Sequence, residues 1–329
     1  MRFLISLFLL VSFVYAQTNI VVSILPQQTF VEKIGGEKVN VSTMVKPGSD
    51  PHSYEPKPSQ MRDISKADIY FPIGVEFEDI WLDKFTSQNK DMKIVEMTEG
   101  IKFLEMKAHN HHHEHEAKHD EHDDHEGHEH HDHADHDNHD EDHKTHANHD
   151  DHDDHDDHEE HHDHDEHEGK DPHTWTSPKN VKIMAKNIYE TLVKVDSSNK
   201  NYYEKNYNDF IEEINQTDKK IKEILSVLPE KSKFMVFHPS WGYFANEYNL
   251  IQLAIEVEGK EPKPKMLKKI IDEAKEENVK AILTQTEFSD KSAKVIANEL
   301  KIKVIKETPL AQDWSQNLIK IANTIANNN

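Results

Sequence analysis

Short β-branched runs alternate with amphipathic stretches along most of the chain, and this alternation predicts an α/β fold. In the first half the predicted strands are residues 19–25, 39–45, 67–73 and 92–97, and the predicted helices are residues 27–34, 59–66 and 76–85. Runs that are apolar on both faces are typical of parallel strands covered by helices. The first half is therefore predicted to form a mostly parallel sheet.

The second half restarts the same alternation. Its predicted strands are residues 234–237, 250–256, 281–285 and 303–307, and its predicted helices are residues 241–248, 264–278, 289–300 and 314–326. Two alternating halves imply two mostly parallel βα lobes.

Two further helices are predicted between the halves, at residues 179–195 and 199–228. The second is 30 residues long without Gly or Pro, and apolar residues recur in it at helical spacing. It would span about 45 Å. We therefore expect an N-terminal lobe at residues 17–197, a linking helix at residues 198–228 and a C-terminal lobe at residues 229–329.

The N-terminus is predicted to be a secretory signal peptide at residues 1–16. Arg2 precedes an apolar run, and Ala16 supplies a small residue before Gln17. A membrane anchor is the alternative, which the shortness of the run disfavours. The chain has no cysteine, which excludes a lipid-modified cysteine, disulfides and thiolate ligands. The mature protein is expected to be soluble and periplasmic.

Histidine is distributed very unevenly. Of the 27 histidines, 24 lie between His109 and His167, within a low-complexity insert at residues 107–170. The insert has too few aliphatic residues to form a core, so disorder is predicted. It is interpreted either as an acidic spacer or as an auxiliary, weak metal binder. The candidate auxiliary ligands are His111, His112, His113, His130, His131, His161 and His162.

The net negative charge of the chain also lies in this insert. Residues 109–168 contain 26 of the 63 acidic residues and only two lysines, so the remainder carries 37 residues of each sign. A globular part with balanced charge has no basic face for nucleic acid, and no nucleic-acid partner is expected.

The three remaining histidines are His52, His173 and His238, and each lies in a short proline-marked loop near a predicted strand end. A single loop histidine is more often a surface residue than a ligand. Here all three histidines outside the insert lie in such loops, and this favours one shared metal site. Three imidazoles suit zinc and leave a fourth position for a carboxylate or water.

Acidic residues near these histidines are candidate acceptors for their ring N–H groups. They are Asp50, Glu55 and Asp171, and simple Asp-Pro turn chemistry is the alternative explanation. The nearby Trp175 and Trp241 are expected to pack between the lobes.

Four motifs in order carry a family resemblance: GSDPHSYEPKPS at residues 48–59, DPHTW at 171–175, FHPSWGYFANEY at 237–248 and PLAQDW at 309–314. Together they resemble the ZnuA-type periplasmic zinc-binding proteins, which are cluster A-I substrate-binding proteins of metal ABC importers. The resemblance covers essentially the whole mature chain.

The resemblance implies two βα lobes joined by one rigid helix, with the metal in the cleft between them. It implies His52, His173 and His238 as ligands and Zn²⁺ as the transported ion, because relatives that carry manganese or iron have a carboxylate in place of His238. The implied partners are a permease and its ATPase in the inner membrane, and the chain is expected to be monomeric.

One position departs from the family pattern. The family often has Asp immediately before the Pro-Leu pair, where this chain has Thr308. Water is therefore the first choice for the fourth ligand, with Glu307 as the second choice.

A non-catalytic, high-affinity zinc carrier is the preferred function. A periplasmic zinc buffer that acts mainly through the histidine-rich insert is the first alternative. A zinc hydrolase is the second, because three histidines plus water can also be catalytic. Against it, the sequence has no His-Glu-x-x-His helix and no glutamate at a recognisable general-base spacing from a candidate ligand.

Overall fold

The structure is a computed structural model that describes residues 17–106, 169–257 and 260–329. The predicted signal peptide and the histidine-rich part of the insert lie outside the described residues. The seven auxiliary histidines lie there too, and the predicted disorder of the insert stays a prediction.

The first sheet has two buried inner strands and two more exposed edge strands. Its strands are β1 (Thr18–Val22), β2 (Val39–Thr43), β3 (Ile69–Phe71) and β4 (Lys93–Ile94), and its helices are α1 (Leu25–Gly35), α2 (Pro58–Ile64) and α3 (Phe77–Gln88). All strand pairs are parallel, in the order β2-β1-β3-β4. The central strand β1 buries Ile20, Val21 and Val22 completely or nearly so, as expected for a parallel strand covered by helices.

The second sheet has the same topology. Its strands are β5 (Lys233–Val236), β6 (Ile251–Ala254), β7 (Ala281–Thr284) and β8 (Lys303–Lys306). They are parallel in the order β6-β5-β7-β8. The surrounding helices are α6 (Gly242–Glu247), α7 (Pro264–Glu276), α8 (Lys291–Leu300) and α9 (Trp314–Asn327). The predicted α/β class with two parallel lobes is confirmed.

Two helices connect the sheets: α4 (Pro178–Val195) and α5 (Lys200–Leu225). Helix α5 has 26 residues, a length of about 39 Å, and it packs against α1, α4 and α9. Phe30 of α1 lies 5.7 Å from Phe210 of α5 and 5.6 Å from Trp314 of α9, measured between ring centroids. This aromatic cluster joins elements of both halves through the predicted long helix.

Several predicted boundaries differ from those of the structure, among them the end of the first strand and the end of the long helix. The first strand ends at Val22 rather than at residue 25, because Leu25 and Pro26 already form the first turn of α1, where a proline needs no backbone N–H. The long helix ends at Leu225, before the residues 226–228 that the prediction included. The lobe boundaries at residues 197/198 and 228/229 stay a prediction.

The two ends of the insert meet. Glu105 and Lys170 form an antiparallel bridge, and the backbone N–H of Met106 donates to the carbonyl of Gly169 at 2.6 Å. The insert therefore leaves and rejoins the fold at one place.

In the described part of the chain, no helix has the length and apolar character needed to cross a membrane.

A buried carboxylate lies at the end of β3. Glu78 accepts hydrogen bonds from the backbone of Ile73 at 3.0 Å and of Gly74 at 2.7 Å, and also from Ser23, whose hydroxyl contacts that of Tyr70 at 2.6 Å. Burial raises the pKa of Glu78 from 4.5 to about 7, since the loss of water disfavours the charged form more than these bonds favour it.

We predict that Glu78→Gln removes a pH-dependent part of the stability. The pKa of Glu78 is higher in the folded chain, so its contribution is fully present below pH 4.5 and is lost as the pH rises through about 7. The lost contribution is about 3 kcal/mol. Gln mimics the protonated acid, so the free energy of unfolding of the wild type should fall relative to the variant over this range.

The measurement is denaturant unfolding at a series of pH values, with the exposed Glu204→Gln as the matched control. Parallel curves for the wild type and Glu78→Gln would show that Glu78 is not buried as a neutral acid.

Candidate metal centre

Three loops bring the candidate histidines together. His52 follows β2 and His238 follows β5, at the carboxyl ends of parallel strands, where open α/β sheets bind ligands. His173 does not follow a strand, contrary to the prediction. It caps a 3-10 turn, Thr174–Thr176, that leads into α4.

The imidazoles are close enough to share one ion. One ring nitrogen from each of His52, His173 and His238 lies within 4.8 Å of the others. The Nε2 atoms of His173 and His238 are 3.3 Å apart. With Zn–N bonds of about 2.0–2.1 Å, the edge of a tetrahedral zinc site is about 3.3 Å, so this pair already has the spacing of two zinc ligands.

Each imidazole contacts a carboxylate through Nδ1. Glu76 lies 2.5 Å from Nδ1 of His52, and Asp171 lies 2.7 Å from Nδ1 of His173. The third contact joins Glu256 to Nδ1 of His238 at 2.8 Å. A neutral imidazole whose Nδ1–H donates to such a carboxylate has its Nε2 lone pair free for a metal ion.

The three imidazoles converge on a largely buried space. His173 and His238 are buried, and Nε2 of His52 is a buried atom that has no hydrogen-bond partner among the described residues. When the Nε2 atoms of His173 and His238, 3.3 Å apart, are both unprotonated, they repel unless a cation lies between them. The arrangement therefore suits a divalent metal ion, with the carboxylates fixing the ring orientations from behind.

The pKa values of two of the imidazoles move in opposite directions. Burial lowers the pKa of His52, but the hydrogen bond and charge of Glu76, with smaller effects of Asp50 and Glu256, outweigh it and raise the pKa overall. Burial lowers the pKa of His238, and the bond to Glu256 does not compensate. His238 is thus held as a neutral ligand.

The surrounding side chains are mostly apolar. The ring of Phe288 stacks on His238 with a centroid distance of 4.5 Å. Trp175 is completely buried beside His173, and its Nε1–H donates to the carbonyl of Pro309 at 2.9 Å. This bond links the loop of His173 to the C-terminal half, which agrees with the predicted packing role of Trp175. Apolar walls limit water access and strengthen ligand–ion interactions.

A glycine makes room for one of the carboxylates. A Cβ atom at Gly242, the first residue of α6, would lie only 2.5 Å from Oδ2 of Asp171. In addition, the hydroxyl of Tyr243 donates to the carbonyl of Asp171 at 2.8 Å. The Gly-Tyr pair after Trp241 thus positions the acceptor of His173.

The acidic residues predicted near the histidines make different contacts in the structure. Asp171 contacts Nδ1 of its histidine, as described above. Asp50 accepts the backbone N–H of His52 at 2.9 Å, which is turn chemistry and leaves the ring to Glu76. Glu55 is exposed. The contacts described for Glu307 are with Thr324 at 3.0 Å and Lys320 at 2.7 Å, and it does not join the histidine group.

Sequence reasoning missed Glu76, Glu256 and Phe288. The first two lie 24 and 18 residues from the histidines they contact, so proximity along the chain gave no signal. Phe288 lies in the loop after β7, which pairs with β5, the strand that precedes His238. The rule that ligands bind at the carboxyl ends of neighbouring strands could have indicated this loop.

Two known proteins resemble this chain in sequence, and a solved structure resembles it in fold. It is 29% identical over 290 residues to the high-affinity zinc uptake system protein ZnuA of Bacillus subtilis (strain 168), which covers 87% of this chain and 76% of that protein. It is 24% identical over 288 residues to the manganese ABC transporter substrate-binding lipoprotein PsaA of Streptococcus anginosus, covering 83% and 74%. A crystal structure of ZnuA is similar with a TM-score of 0.74 and 38% identity, covering 95% of this chain and 99% of that one.

These similarities define the class of protein as a substrate-binding protein of a metal ABC transporter, a class of transport proteins rather than enzymes. The family model described as "Zinc-uptake complex component A periplasmic" matches residues 20–328. The chain belongs to this family.

We predict that Glu256→Ala weakens Zn²⁺ binding by about 10–100-fold, because Nδ1 of His238 loses the acceptor that fixes its tautomer and orientation. Calorimetric titration of Zn²⁺ measures the change, with the exposed Glu204→Ala as control. Unchanged affinity of Glu256→Ala would mean that the contact does not hold the ring for a metal.

Proposed function

We propose that the protein is the zinc-binding component of an ABC importer, which captures Zn²⁺ between His52, His173 and His238. The observation that carries this proposal is the convergence of three Nε2 atoms whose Nδ1 partners are carboxylates. Such a centre can hold a divalent ion, and membership of a family of transport proteins favours carriage of that ion. Capture and release of the ion is the function that suits it.

The choice of zinc rests on the chemistry of the ligand atoms. Three imidazole nitrogens suit zinc, whereas carboxylate-rich sites suit manganese. Relatives of both kinds exist, since one similar protein is a zinc uptake protein and another a manganese transporter component. His238 is therefore the position on which we base the preference for zinc.

The remaining parts of the proposal follow from the family. We propose that the mature chain is periplasmic and monomeric and that it delivers zinc to a permease, which is driven by its ATPase in the inner membrane. The predicted signal peptide and the membership of a transporter family support this assignment.

A zinc buffer that acts through the insert is the second candidate function. Its support is the density of histidine, 24 residues between His109 and His167. In the carrier proposal the same residues concentrate zinc near the fold, and the buried centre provides the tight site. Membership of a transporter family favours these two functions over a zinc hydrolase.

We predict that the mature chain without residues 109–168 binds one Zn²⁺ tightly and that His173→Ala removes this site. The deletion leaves two residues between Met106 and Gly169, which are already hydrogen-bonded. Two residues are the length of a tight hairpin connection, so the deletion should preserve the fold. The measurement is calorimetry of both proteins.

This experiment separates the two candidate functions. A tight site that depends on His173 places zinc capture in the fold. If the shortened chain has no tight site, zinc binding belongs to the insert, and the carrier proposal for the three histidines is wrong.

We also predict that His238→Glu, combined with Glu256→Gln, shifts the preference from Zn²⁺ toward Mn²⁺ by about tenfold or more. The second substitution is needed because a carboxylate at position 238 would face Glu256. Competition titrations of the two metals measure the ratio, with Glu256→Gln alone as control. An unchanged ratio would remove His238 as the basis of selectivity.

A further inference from the structure

The loop after β7 brings an acidic residue to the cavity that the three histidines line. Glu287 lines the cavity together with His52, His173 and His238. It follows a strand that pairs with β5, whose carboxyl end leads to His238. Parallel strands in register place the loops at their carboxyl ends side by side. The position of Glu287 is therefore fixed by the sheet as well as by the loop.

One oxygen of Glu287 is held in place. Oε1 accepts a hydrogen bond from the hydroxyl of Thr308 at 2.9 Å. That hydroxyl also accepts the backbone N–H of Leu310 at 3.1 Å, and the carbonyl of Thr308 accepts a bond from Asn317 at 2.8 Å. Thr308 is thus anchored by two hydrogen bonds, one at its hydroxyl and one at its carbonyl, and it orients the carboxylate of Glu287.

The other carboxylate oxygen of Glu287 can accept a hydrogen bond from a further group. Oε2 of Glu287 is a buried atom without a hydrogen-bond partner in the ranges that the structure describes. A buried carboxylate oxygen without a partner is costly. The neighbouring Gln285 presents a second such oxygen, Oε1, in the same cavity. Two acceptors facing one cavity with imidazole lone pairs point to a hydrated cation as their common partner.

The other carboxylates of the centre cannot take this role. Glu76, Asp171 and Glu256 contact the Nδ1 atoms and lie behind the rings. Glu307 pairs with Lys320. Glu287 is not one of the residues whose potential ligand atoms cluster within 4.8 Å, so its contact with a bound ion requires an intervening oxygen.

We propose that Glu287, oriented by Thr308, holds through Oε2 the water at the fourth position of the bound divalent cation. This inference rests on the proposed function, because it requires that the three histidines bind the ion. It assigns to the loop after β7 a positioning residue that completes the shell of a three-histidine centre.

The test compares Zn²⁺ affinity in the full mature chain, measured against a competing chelator strong enough to keep zinc from the weak sites. Glu287→Gln should bind about 10–100-fold more weakly. Because Thr308 donates a hydrogen bond to Oε1 of Glu287, the side-chain carbonyl of Gln takes that position. The amide NH2 group, which can only donate, then faces the water. Thr308→Val should weaken binding in the same direction but less, because it loosens the carboxylate without removing it.

Two further variants make the comparison specific. Glu204→Gln makes the same chemical change on an exposed position of α5 and should bind like the wild type. Thr308→Asp added to Glu287→Gln places a carboxylate next to the lost one and should recover part of the affinity. The visible spectrum of the first equivalent of Co²⁺ should change in Glu287→Gln and remain that of the wild type in Glu204→Gln.

The outcomes distinguish this inference from the proposed function. If Glu287→Gln and Thr308→Val bind like the wild type while His173→Ala does not bind, the role of Glu287 is wrong and the histidine centre stands. If the wild type has no tight site that depends on His173, both are wrong. Melting temperatures of the metal-free proteins check folding, and Thr308→Val decides the question if Glu287→Gln is unstable.

Discussion

The contact between a carboxylate and the Nδ1 atom of each histidine is the interaction on which the centre depends. A neutral imidazole has one protonated and one free nitrogen, and a carboxylate at Nδ1 selects which is which. Without Glu76, Asp171 and Glu256, the rings could rotate or exchange tautomers, and the three lone pairs would not face one point. The same carboxylates bring negative charge close to the space where a cation would lie.

These contacts in turn require both sheets to be in place. Glu256 follows β6 and contacts a histidine after β5, and these strands are paired in register over four residues. Glu76 precedes α3 and reaches the loop after β2. Trp175 is bonded to Pro309, and Trp314 donates its Nε1–H to the carbonyl of Trp175. Packing around α5 therefore contributes to the geometry of the centre although none of its residues lies in it.

Much of this architecture could be predicted because its signals are local. Apolar runs in buried parallel strands and a long stretch without Gly or Pro identify the two sheets and α5. The three histidines stand out only because the rest of the globular chain lacks the residue. Helix α1 shows the limit of such patterns: Leu25 continues an apolar run, yet Pro26 makes it the start of a helix.

The parts that could not be predicted depend on contacts between distant segments. Asp171 was within reach of reasoning because it lies two residues from His173, whereas Glu256 and Glu287 approach the centre only once the strands are paired. Asp50 shows why nearness in sequence misleads, since its bond goes to the backbone and not to the ring. The proposed metal site is thus specified twice: residue types identify the proposed ligands, and tertiary contacts such as the pairing of β5 with β6 select carboxylates that orient them. A substitution in the second set can alter affinity while leaving every histidine in the sequence unchanged.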